Sequence, residues 1–315
     1  DYLEPRDAVS SARQFNAFEK LMITMKRLII LLLITSWSFG LVAQVKSTGL
    51  QGYQGSGHLH HNSAEVKKVA RSRGASASVA GSLIKLKAVL LVGPIESDRD
   101  ATTLEYINDL KAAAKVLRDN NVDVKEFYTP NNNWEEIKKA AAGAHFLIYK
   151  GHGVYDGSEP PKWVGGFCLK GSFPSPDEVR SDLALADNSI ILISGCFTAG
   201  NAGYDIGKID INEAKRRVAM YSEPFFSNRS AVYYANWYPD AFATMLQNLF
   251  AGQTFGQAYR SYPNGNNPAK IVDFPYPHRS GLKMCIGSED YSGQTAFNNA
   301  FVGDEGKTLM DFFKK

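Results

Sequence analysis

The chain has 315 residues, 44% of them hydrophobic and 21% charged, which excludes a disordered or fibrous protein and leaves room for one large or two modest globular domains. A net charge of +3 with no long basic stripe argues against a nucleic-acid partner, and clusters such as Lys215-Arg216-Arg217 read as solvated helix faces. Three cysteines, Cys168, Cys196 and Cys285, make no disulfide framework, and the odd count leaves at least one free thiol.

In chain order, the candidate start methionines are Met22 and Met25, the chain does not open with Met, and residues 1–24 read as upstream translation. Residues 25–43, "MKRLIILLLITSWSFGLVA", have the basic start, apolar core and small-residue end of a secretory signal peptide. The alternative is a retained anchor, with about 16 apolar residues against the roughly 20 of a spanning helix. Export implies a secreted, periplasmic or cell-surface protein with no stable membrane insertion after signal cleavage. Residues 44–84 are rich in Gly, Ser and basic residues and read as a flexible leader or pro-segment. His58, His60 and His61 lie there without a carboxylate or Cys partner and make a weak metal site; neither metal nor cofactor is expected.

Residues 85–315 alternate strand and helix patterns, which predicts an α/β fold with a mostly parallel central sheet and helices on both faces. "LKAVLLVGP" reads as a buried strand, and "TTLEYINDLKAAAKVLRDNN" as a helix with Leu104, Ile107, Leu110, Ala114 and Leu117 on its apolar face, ended by Asn120-Asn121. "VDVKEFYT" is a strand, "NWEEIKKAAAG" a helix stopped by Gly143, and "HFLIYKG" a strand. "VGGFCLKGSF" reads as a small hairpin, "SPDEVRSDLAL" as a helix and "SIILISGCFTAG" as a buried strand. There follow the strand "SAVYYANWYP", two helices in "DAFATMLQNLFAGQTFGQAYRSY", and one late strand, "GLKMCIGS". The loop "VGPIESDRD" lacks a phosphate-cradling glycine pattern, and no P-loop occurs, which disfavours a nucleotide-dependent enzyme.

The third strand runs into Gly151-His152-Gly153 and the fourth into Gly195-Cys196. Strands of open α/β sheets deliver functional residues at their carboxyl ends. Were the two strands neighbours, an imidazole would meet a thiol, the minimum that a thiol nucleophile needs. Cys168 and Cys285 sit in apolar, strand-like contexts and read as buried thiols, with a disulfide between them as the alternative.

These blocks resemble the caspase-like cysteine peptidases, most closely the CHAT domains and bacterial relatives: "HFLIYKGHGVYDG", "GGFCLKG", "ADNSIILISGCFTAG" and "SAVYYANWYPDAFATMLQNLFAGQTFGQAYR", over roughly residues 144–260. The resemblance implies a three-layer sandwich spanning 85–315 and an endopeptidase acting on peptide or protein substrates. Cys196 would be the nucleophile, His152 the general acid/base, and the Gly153 and Cys196 backbone N–H groups the oxyanion hole. Ser194 stands where basic-specific branches carry an acid, so a Lys or Arg preference is not implied; Asp205, Asp210 or Glu213 would have to supply that charge. Trp237 resembles the family's aromatic beside the pocket, or is a core tryptophan. A processing site is expected near Lys208 or Lys215–Arg217, unless "INEAKRRVAM" is a plain surface helix. A catalytically silent binding module of the same fold is the competing reading.

Overall fold

The computed structural model describes residues 83–262 and 267–315. The expected upstream segment, the signal peptide, and the leader as far as residue 82 with its histidines lie outside them. Among the described residues no helix is long and apolar enough to cross a membrane.

Eight strands form one mixed sheet: β1 (Lys87–Val92), β2 (Asp123–Tyr128), β3 (Phe146–Lys150), β4 (Ile190–Ser194), β5 (Val232–Asn236), β6 (Ile271–Pro275), β7 (Lys283–Tyr291) and β8 (Gln294–Gly303). Their order is β2-β1-β3-β4-β5-β8-β7-β6. The first five are parallel, and β8, β7 and β6 add to β5 antiparallel. The parallel strands are joined by crossovers that contain α1 (Ala101–Asp119), α2 (Trp134–Ala141), α3 (Pro176–Asp182) and α4 (Ile211–Ser227). α5 (Ala241–Phe250), α6 (Phe255–Arg260) and α7 (Leu309–Phe313) complete the seven helices of the described residues.

Strand alternation divides the core in two. Ala88, Leu90, Phe146, Ile148, Ile190, Leu192, Val232 and Tyr234 face a layer built from α1, α5, α6 and α7. Val89, Leu91, Leu147, Tyr149, Ile191, Ile193, Tyr233 and Ala235 face α2, α3 and α4. Both faces of the central strands are therefore covered, which is why β3, β4 and β5 are apolar runs rather than alternating ones.

Local signals explain the helix ends. Asp100 caps α1 by accepting from the Thr103 N–H at 2.9 Å, and the chain leaves α1 through Asn121 at φ 62°. Ser175 and Glu178 form a capping box on α3. On α1, Leu104 proves exposed; the buried face is carried by Thr103, Tyr106, Leu110, Ala113, Ala114 and Leu117.

"VGGFCLKGSF" forms the small hairpin expected, its arms joined by the Phe167 N–H to the Pro174 carbonyl at 3.0 Å and a reciprocal pair between Leu169 and Ser172, with Gly171 of its turn at φ 75°. One expectation needs correction. The single late strand is a three-stranded antiparallel unit, so the sheet is parallel over only five of its strands. Pro275 closes the short edge strand β6. Asn298 and Asn299 interrupt the apolar run of β8, although both are buried. The turn joining β7 to β8 has Ser292 and Gly293, both at positive φ, the conformation that a two-residue hairpin favours.

Candidate active site

β3 and β4 are neighbours, with Lys150 in register with Ser194. The Gly151 N–H donates to the Ser194 carbonyl at 3.1 Å, which sets Gly151-His152-Gly153 beside Gly195-Cys196. The glycines permit this approach. A Cβ on Gly153 would stand 1.7 Å from the Cys196 carbonyl oxygen, and one on Gly195 would stand 2.6 Å from the Gly151 oxygen.

His152 is held at both ends. Its carbonyl accepts from the Tyr149 hydroxyl at 2.9 Å, and that hydroxyl accepts from the Cys168 N–H at 3.1 Å. Its Nε2 lies 2.8 Å from the Ile95 carbonyl oxygen. A carbonyl can only accept, so Nε2 carries the proton and Nδ1 is the nitrogen left to take another. Ile95 is fixed in turn, since its N–H donates to Thr103 Oγ1 at 2.9 Å, at the capped start of α1. Burial lowers the His152 pKa, against a smaller opposing effect of the Ile95 bond, so the ring is neutral at pH 7.

Cys196 is partly exposed and is followed by Phe197 at φ 70°, a left-handed conformation that costs a bulky residue about 1–2 kcal/mol. Contacts of the Phe197 ring with Tyr155 and Tyr204 hold that turn. Desolvation pushes the Cys196 thiol up to about 11, while the backbone N–H groups of Gly203, Gly153 and Cys196 itself act in the opposite direction.

One pocket is lined by Tyr106, Gly151, His152, Ser194, Gly195, Cys196, Gly203 and Trp237. It brings together His152, Ser194, Cys196 and Trp237 of the expected site residues; Gly153 packs against the Cys196 carbonyl behind it, and Asp205 is not part of the lining. That carboxylate is buried; it accepts from Asn201 Nδ2 at 2.9 Å and the Ala202 N–H at 2.8 Å, and pairs with the buried Arg217. Its charge is neutralised within the protein, so the expectation that Asp205 meets a basic substrate side chain is corrected. Asp210 caps α4, and Glu213 pairs with Arg216 and Arg217, so neither of the alternative acids is free for that role.

Tyr106, Gly203 and the Ile95 carbonyl escaped the sequence reading. The only local signal for them was the Asp100-to-Thr103 spacing of a helix cap, in a loop read for phosphate binding alone. All three cysteines are free thiols, so Cys168 and Cys285 are not paired.

No protein-family model matches the chain, and no curated protein is similar to it, so any functional reading rests on the geometry of this pocket.

Proposed function

We propose that the chain is an exported cysteine endopeptidase of the caspase-like fold, cutting peptide bonds through Cys196 and His152. The observation that carries this reading is the convergence, at the carboxyl ends of two adjacent parallel strands, of a thiol and a neutral imidazole with its Nδ1 unprotonated, both lining one pocket. Export rests on residues 25–43 alone.

In this mechanism Cys196 Sγ attacks the substrate carbonyl carbon while its proton passes to His152 Nδ1. In this reading the Gly153 and Cys196 N–H groups receive the oxyanion, where each such donor is worth about 3–4 kcal/mol. Collapse breaks the C–N bond, and Nδ1 returns the proton to the leaving amine. Water then hydrolyses the thioester with His152 as base. The Nε2 bond to Ile95 holds the ring in the tautomer this sequence requires.

Ser194 and the Tyr106 and Trp237 side chains give the pocket aromatic walls and a hydroxyl without a free carboxylate, which favours an uncharged or aromatic side chain before the cut over lysine or arginine. Self-processing, if it occurs, belongs at Lys208, which is exposed between Gly207 and the start of α4. Lys215–Arg217 lies inside α4 with Arg217 buried, and a peptidase cleft takes extended chain rather than helix.

The competing reading, a silent binding module, is favoured by the desolvation of the thiol, which pushes its pKa up to about 11 and disfavours the nucleophilic thiolate. Incubating the purified protein and Cys196→Ala with a diverse peptide library, with cuts read by mass spectrometry, separates the two. Cuts by wild type alone support the peptidase, and their absence from both leaves the binding module.

A further inference from the structure

We propose that Asp100 is a positioning residue for His152, acting through a single peptide unit, so that its carboxylate, the Ile95–Glu96 peptide and the imidazole form one hydrogen-bonded line. The inference rests on the reading of His152 as the general acid/base.

The line runs through the loop between β1 and α1. His152 Nε2 donates to the Ile95 carbonyl at 2.8 Å, and the N–H on the other side of that same peptide group, from Glu96, donates to Asp100 Oδ2 at 3.2 Å. The peptide unit before Ile95 ends on the same oxygen: the Ile95 N–H donates to Thr103 Oγ1 at 2.9 Å, and that hydroxyl donates to Asp100 Oδ2 at 2.6 Å. The Ser97 N–H reaches Oδ2 at 2.9 Å, while Oδ1 caps α1 through the Thr103 N–H at 2.9 Å. Thr103 is fully buried and Ile95 nearly so, which leaves the carbonyl that holds the ring little freedom.

A helix cap needs only one acceptor oxygen, and Oδ1 provides it. Oδ2 gathers three donors from the segment that holds the imidazole, which is more than the cap requires. A peptide group is polarised along its N–C–O resonance. A carboxylate that accepts from its N–H makes its carbonyl oxygen a better acceptor for the ring. The consequence falls where the Cys196 proton reaches Nδ1. The neutral ring becomes an imidazolium, its Nε2 bond to Ile95 becomes charge-assisted, and the Asp100 charge stabilises it. The partial positive charge at the start of α1 acts against that imidazolium, and Asp100 offsets it. In keeping with this, burial is the larger influence on His152 and lowers its pKa, while the Ile95 bond and the Asp100 charge oppose it. Around the ring, Tyr106 from α1 and Cys196 from the end of β4 share its pocket, and Tyr149 of β3 holds its carbonyl. Elsewhere in the β1–α1 loop, Asp98 is paired with Lys170, and Glu96 and Arg99 are exposed.

The experiment is an NMR titration of the His152 imidazole in the full chain, its resonance identified by its loss in His152→Gln, for wild type, Asp100→Asn and Thr103→Val, with peptide cleavage measured beside it. Asp100→Asn keeps a cap oxygen and removes the charge. It is expected to lower the His152 pKa by about half to one pKa unit, and to lower kcat roughly three- to tenfold at unchanged KM. Thr103→Val keeps the charge and deletes the buried hydroxyl, so it is expected to lose stability while the His152 pKa falls by less. An equal fall in the two variants assigns the effect to anchoring of the loop and overturns the proposal, as does an unchanged His152 pKa in folded Asp100→Asn. If Asp100→Asn does not fold, Asp100→Ser, an equally good cap without charge, is expected to show the same fall, and a wild-type value there overturns the proposal. Iodoacetamide labelling of Cys196, read by peptide mass, is expected to stay as in wild type and shows that the pocket is intact. A lowered His152 pKa in Asp100→Asn of a protein whose wild type cuts no peptide leaves the coupling standing and removes the peptidase reading instead.

Discussion

Two thiols in two halves of the sheet make an instructive contrast. Cys285, on β7 in the antiparallel half, has the more conspicuous surroundings: Asp273 and Glu305 offer ligand atoms within 4.8 Å of one another and of its sulfur, and Arg260 Nη2 lies 3.5 Å from it. Yet both carboxylates are engaged by Arg260 and Lys283, and burial together with their charge pushes the thiol well above its ordinary value. Cys196, at the end of a parallel strand, has no adjacent cation to lower it. Instead it has a neutral imidazole lining the same pocket and partial exposure. The difference teaches that burial among carboxylates raises a thiol and encloses it, whereas an open strand end leaves one partly exposed beside an imidazole.

The sharpest way to break that contrast is to delete each sulfur. Cys196→Ala is expected to reduce peptide cleavage to background while Cys285→Ala leaves it at the wild-type rate; a cleavage assay on the same peptides reads both. His152→Ala is expected to lower kcat/KM by about 10²- to 10⁴-fold, the usual worth of a positioned general acid/base, with the fold retained by circular dichroism. Gly153→Ala tests the close approach directly. Its Cβ would meet the Cys196 carbonyl, so urea denaturation should show a loss of about 1–3 kcal/mol together with slower Cys196 labelling, whereas Gly281→Ala, at a loop where a Cβ would have open space but φ is 83°, should change stability alone.

The pH dependence gives the smallest and most diagnostic effect. The His152 pKa is below 6.5 and the Cys196 thiol is at about 11, so both groups are neutral between those limits. Cleavage by a neutral pair needs the unprotonated ring, so it should fall only as pH drops below 6.5 and hold through the mildly alkaline range. Labelling of Cys196 needs the thiolate, so it should keep rising toward pH 11 without a plateau near neutrality. A labelling plateau at pH 6–7 would instead mean a preformed thiolate–imidazolium pair.

Much of the fold was legible in the sequence because it is written locally. The five parallel strands are apolar runs, the helices between them carry 3.6-residue patterns, and their ends are marked by Asp100, Asn121, Gly143 and Ser175. The Gly-His-Gly and Gly-Cys strand ends were visible for the same reason. The antiparallel half was not: β6 is a short, half-exposed edge strand, and β8 buries asparagines whose partners lie elsewhere in the chain, such as Tyr259 for Asn299.

What the sequence determined by itself is therefore the set of reactive side chains and the strands that carry them. Only the tertiary structure decided that β3 and β4 are adjacent, that the carbonyl holding the imidazole comes from Ile95, 57 residues before it, and that Asp205 answers to Arg217 rather than to a ligand. The physical reason is that hydropathy and capping are properties of neighbours along the chain. Hydrogen bonds to backbone carbonyls and buried ion pairs are made between segments that meet only once the sheet has formed, and backbone groups leave no trace in residue identity.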